Sequence, residues 1–241
     1  MGAPKGFDPT FDFRTDATGP DPDSSSRKLR EYHKRLWSKP LPNGDPFELE
    51  ITFVDKRGYF LHHLSPRGEF HLTSDSAMQT WSQPEKWPEM QAVIAPIPEE
   101  EKEHFLRVAH QIGGKVMFPV DSKPTINQAR GMNRSIADRF DLTLECIRLH
   151  YLGKWNPLDE VLRCYSAFFE LFDNFKGYID FFLLQDLVSD DASRVEFLIE
   201  FKDFSESPFA RPDEEYQKYR ENGIRFVQAR NRRMAEYVAG L

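Results

Sequence analysis

Between Pro124 and Tyr151 the chain gathers Asn127, Arg130, Asn133, Arg134, Asp138, Arg139, Asp141, Glu145, Arg148 and His150. A helix that only covers a core does not need so many short-range hydrogen-bonding groups around its start. Asn127, Arg130 and Asn133 precede a helix expected over 135–151. Free N–H groups at a helix start, with guanidinium groups beside them, are the chemistry of anion recognition. Arg139 falls on a helix line with Thr143, Cys146 and His150, next to apolar positions. A buried arginine needs acceptors, and Asp138, Asp141 or Glu145 can supply them. Arg230 lies on the core-facing line of the last helix and is a candidate second cation. Asn127, Arg130, Asn133, Arg139 and Arg230 are therefore the candidate ligand-binding residues, and no catalytic residue is assigned. The competing reading of the same residues is a structural polar network.

A second constellation lies on an expected hairpin. Ser65-Pro66-Arg67-Gly68 suits a four-residue turn with proline at its second position. That turn pairs His63 with Phe70 and His62 with His71, with Thr52 in the same cross-strand row and Glu69 and Glu50 one step away. Two histidines and a carboxylate suit a transition ion. Such cross-strand pairs are ordinarily plain neighbours, so the expectation is no bound metal and no cofactor. His62, His71 and Glu69 stand as the metal candidates. GxSxG and HExxH signatures and a glycine-rich phosphate loop are absent.

The elements that must position these groups are legible from periodicity. Phe47, Leu49, Ile51 and Phe53 alternate with Glu48, Glu50 and Thr52, which reads as a strand with one wet face. Strands follow near 59–64, 69–74, 115–119 and 195–201. A three-residue loop at Lys56-Arg57-Gly58 sets Phe53 opposite Leu61. The resulting core face is Phe47, Leu49, Ile51, Phe53, Tyr59, Leu61, His63, Phe70 and Leu72. Helices are expected over 27–37, 98–113, 135–151, 156–172, 175–188 and 212–238, and 75–97 reads as irregular. Val195–Phe201 alternates with no nearer partner, so it should return to the early sheet. The fold class is α+β, a small and mostly antiparallel sheet packed with several helices. Residues 1–25 form an extended arm pinned by Phe7, Phe11 and Phe13, and 26–241 form a single domain.

Composition narrows the partners. The formal charge of −7 over 241 residues argues against non-specific nucleic-acid binding, which needs a basic surface. No apolar run reaches membrane length, and the first residues lack an apolar leader. Cys146 and Cys164 fall among apolar residues and read as buried, reduced thiols. A cytoplasmic protein without a membrane partner is expected, of unspecified oligomeric state.

The runs TINQARG and IADRFDLTLECIRLHY, then NPL, GYIDFFLLQDLV and ARNRR, together resemble a bacterial family of unknown function. YHKRLWSKPLPNG and GEFHLTSDS extend the resemblance over nearly the whole chain. It implies a bacterial, cytoplasmic source and no mechanism. Two function classes stand: a receptor or enzyme for a small polar or anionic molecule, such as a nucleotide, and a non-catalytic protein-interaction module. A metal-dependent enzyme built on the histidine pair is a third.

Overall fold

A computed structural model describes residues 6–54, 58–211 and 214–241. Its main sheet grows from the alternating segments. Strands β1 (Lys39–Pro40) and β2 (Pro46–Phe47) form a small two-stranded ladder. β3 (Glu50–Val54), β4 (Gly58–Ser65), β5 (Gly68–Ser76) and β6 (Lys115–Pro119) form an antiparallel sheet in that order. His62 pairs with His71 and His63 with Phe70, as the turn chemistry requires.

The β3–β4 register differs from expectation. Phe53 pairs with Tyr59, and Val54 pairs with Gly58, which opens β4 at φ +89°. The expected loop residues Lys56 and Arg57 lie outside the described residues. The slip is by two positions, so every side chain keeps its face. It puts Glu50, in place of Thr52, opposite His62. The core face is also shorter than expected. Phe47, Leu49, Leu61, His63, Phe70 and Leu72 are buried, whereas Ile51, Phe53 and Tyr59 are exposed at the outer end.

Ten helices occur among the described residues: α1 (Pro22–Ser25), α2 (Arg27–Trp37), α3 (Pro88–Ile94), α4 (Glu99–Ala109), α5 (Ile126–Met132), α6 (Phe140–Tyr151), α7 (Asp159–Cys164), α8 (Ser166–Phe169), α9 (Phe175–Phe181) and α10 (Glu214–Ala239). Pro212, the expected start of the last helix, lies outside the described residues. α3, which opens with Pro88, lies in the stretch read as irregular. The segment 156–172 is broken after Cys164, and α4 stops at Ala109 before a 3-10 turn at Ile112–Gly114. A Cβ on Gly113 would stand 2.4 Å from the Val227 carbonyl oxygen, so this turn can seat on α10 only with glycine there.

Val195–Phe201 does not join the sheet. Among the described residues its one ladder contact is a bridge from Val195 to Val188. Side chains take over its backbone groups: the Leu198 N–H donates to Asp141, and the Leu198 carbonyl accepts from Asn222. With those groups satisfied and Leu198 and Ile199 buried, no partner strand is needed.

The N-terminal arm is pinned by its aromatics. Phe7 stacks on Tyr32 with centroids 4.5 Å apart, and Phe13 is fully buried. The buried apolar residues run as one cluster from Phe7 to Val238.

Candidate functional site

The arginine-rich segment folds differently from its first reading. Thr125 and Gln128 form a capping box, each side chain accepting the other's backbone N–H at 3.1 Å. That closes a first turn, so Asn127 and Arg130 sit on α5 and not in a loop. The chain then turns through Ala137 and Asp138, at φ +46° and +62°, before α6 begins. Left-handed conformations are costly for residues other than glycine. Here Arg130 Nη2 donates to the Asp138 carbonyl at 2.9 Å and holds the turn.

Arg130 is fully buried. Its Nε donates to Thr143 Oγ1 at 2.8 Å, Nη1 to the Asp75 carboxylate, and Nη2 also to the Ser76 carbonyl at 3.1 Å. Burial pushes the Asp75 carboxyl up to about 7, and the Arg130 charge opposes the rise. Arg139 is buried and paired with a carboxylate, Asp141, at 3.2 and 2.6 Å, with Nη1 on the Pro208 carbonyl at 3.1 Å. Arg230 is buried with no carboxylate partner among the described residues. It donates to the carbonyls of Gly113 (3.1 Å), Lys115 (2.6 Å) and Phe182 (2.9 Å). Burial lowers its guanidinium to about 9. Arg130 and Arg139 meet at Thr143, whose hydroxyl accepts from Arg130 Nε and donates to the Arg139 carbonyl at 3.1 Å, while Arg230 forms a separate polar knot. Asn127 Nδ2 donates to the Ser74 carbonyl at 3.2 Å.

Of the five candidates, Asn133 lines a solvent-open cleft of about 570 Å³. Its Nδ2 donates to the Pro157 carbonyl at 3.1 Å, tying the end of α5 to the opposite wall. Lys123, Pro124 and Ala129 form one side of this cleft, and Trp155 to Leu158 with α7 form the other. Trp155 is 73% exposed, while Trp37, Trp81 and Trp87 are at most 3% exposed. Arg163 pairs with Asp159 within the lining, whereas Lys123 has no ion pair among the described residues. Cys164 lines the cleft and is exposed, which corrects the expectation of two buried thiols; Cys146 is buried. Sequence reasoning missed Trp155 and Lys123. The one available signal was a tryptophan placed between two chain breakers, Gly153 and Pro157.

The metal candidates meet on the wet face of the sheet. His62 Nε2 lies 2.9 Å from Glu69 Oε1, and the two imidazole rings are 5.0 Å apart. The ligand atoms of His62, Glu69 and His71 all lie within 4.8 Å of one another. Asp121, absent from the sequence reading, accepts from His71 Nδ1 at 2.8 Å and from the His71 N–H at 2.9 Å.

No helix among the described residues is long and apolar enough to cross a membrane. No curated protein and no solved structure matches the chain. The model of DUF6994, a family of unknown function, matches residues 7–234, and the chain belongs to that family.

Proposed function

We propose that the protein binds a small polar molecule with a flat ring, of the nucleotide class, in the cleft between Lys123 and Trp155. The observation that carries this reading is Trp155, the exposed tryptophan on the wall of a cleft sized for a ligand. A large ring left in water beside a concave surface is a stacking platform, worth about 1–3 kcal/mol per base. Lys123 is a free point charge on the rim, suited to a phosphate. The two cleft asparagines are bonded to protein: Asn133 to Pro157 and Ser135, Asn156 to Leu158 and Lys154. They shape the walls, so the reading is one of binding, with no reaction assigned. The exposed thiol of Cys164 fits a reducing compartment such as the cytoplasm.

Tryptophan emission tests the proposal, because Trp155 is solvated and the other three indoles are buried. AMP or ATP should quench it saturably. The quench should vanish in Trp155→Phe, and Lys123→Ala should weaken binding. Quenching that survives in Trp155→Phe, or no response to either nucleotide, overturns the reading.

A further inference from the structure

We propose that His62, His71 and Glu69 bind one divalent first-row transition ion, with Asp121 orienting His71. The site lies on the sheet, apart from the cleft, and stands or falls independently of the nucleotide reading.

Strand geometry brings the ligands together. The β4–β5 pairing sets His62 directly opposite His71, and Glu69 lies two residues before His71 on the same face of β5. A diagonal neighbour is within reach of a long side chain, and Glu69 already touches His62 at 2.9 Å. On the other flank of His62, Glu50 is its direct partner on β3. Three adjacent strands therefore put carboxylate, imidazole and imidazole in one row.

Asp121 makes the pair more than two stacked rings. It holds His71 by the backbone N–H and by Nδ1 at once. A carboxylate on Nδ1 fixes the Nδ1–H tautomer and leaves the Nε2 lone pair free. That nitrogen has no hydrogen-bond partner among the described residues. This carboxylate–imidazole arrangement is the one in which proteins present histidine to a metal. Asp121 comes from the segment after β6, 50 residues from His71, so the arrangement is a product of the tertiary fold.

Distances fit with small movement. Metal–nitrogen and metal–oxygen bonds of about 2.0–2.2 Å require ligand atoms within about 4 Å of one another. The present span is at most 4.8 Å, so closure by roughly 1 Å completes the set. Glu69 can supply it, its side chain being 59% exposed. The ion takes the place of the proton between His62 Nε2 and Glu69, and the His62 ring proton moves to Nδ1. Two neutral imidazoles and one carboxylate leave the bound ion with net positive charge and with positions open to water. A set of two histidines and one carboxylate with open positions belongs to reactive sites more than to structural ones.

Cobalt(II) added to the EDTA-treated full-length protein tests the site, read by equilibrium dialysis and by visible ligand-field absorption. The expected result is one Co2+ per chain with a visible band. His62→Ala and His71→Ala should abolish both signals, and Asp121→Asn should weaken affinity by about 10–100-fold. The side chains of His62, His71 and Asp121 are only 20%, 18% and 34% exposed, so the metal-free melt of each variant is recorded alongside and affinity is read on the folded fraction. If an alanine variant folds poorly, Glu69→Gln serves in its place and should lower affinity and shift the band. Absence of a stoichiometric site, or Co2+ affinity unchanged in His71→Ala, overturns the proposal. Unchanged affinity in Asp121→Asn overturns the orienting role.

Discussion

Arg130 directs its guanidinium at Thr143, Asp75, Ser76 and Asp138, and Arg139 directs its own at Asp141 and Pro208. The burial of Arg139 and its pairing with a carboxylate were legible, because its helix line runs beside apolar positions. Asp75 as partner of Arg130 was not, since 55 residues separate them and one sequence does not encode which distant groups meet. His33 is a residue-scale case with a measurable consequence. The Trp37 indole N–H can only donate, and it lies 3.0 Å from His33 Nδ1, so that nitrogen accepts. Nε2 then carries the proton, 3.1 Å from Ser74 Oγ. Burial first, with Arg230 and Lys115 adding and Asp23 opposing, lowers His33 from 6.5 to about 3. The folded state therefore refuses a proton that the unfolded chain accepts near pH 6.5. Stability from this group is present above pH 6.5 and is lost as pH falls toward 3, at about 1.4 kcal/mol per unit. Melting temperature against pH should show a shallower acid limb in His33→Gln, and parallel limbs would refute the assignment.

At the scale of elements, alternation told which side chains share a face but not the register. The β4–β5 ladder came out right because Pro66 and Gly68 define the turn. The β3–β4 ladder slipped by two because nothing in the pattern distinguishes Leu61 from Tyr59 as the partner of Phe53. The alternation at Val195–Phe201 reports a two-sided environment, which Asp141 and Asn222 make possible without a strand. α5 carried a readable signal, threonine followed three residues later by glutamine, masked by its polar sequence and Gly131. The capping box makes a direct prediction. Thr125→Ala should cost about 1 kcal/mol, seen as a fall in Tm of roughly 2–4 °C for a chain of this size. An unchanged Tm would mean that α5 is held by Arg130 and packing alone.

For the whole molecule, polar knots and a continuous apolar cluster divide the work. Arg230 bonds to carbonyls from the 112–115 turn and the end of α9, while Lys115 pairs with Asp23 of the arm at 2.9 Å. Such knots bind segments distant in sequence to one another, and on that ground we propose that the arginine-rich residues serve the fold. We place chemistry at two surface sites, the Trp155 cleft and the His62–His71 row. Both depend on tertiary neighbours, Lys123 and Asp121, that periodicity cannot reveal. The central claim is that the arginine-rich segment is a structural lock, with ligand recognition placed elsewhere. Urea denaturation of Arg130→Ala tests it most directly. Removal leaves Asp75 and two carbonyls without their cation, at a cost of about 3 kcal/mol, toward the low end for a buried pair. The low end applies because the Asp75 side chain is 26% exposed and can take a proton. The account predicts that loss of stability, with nucleotide quenching of Trp155 retained in the folded fraction. Parent-like stability with quenching abolished would contradict it.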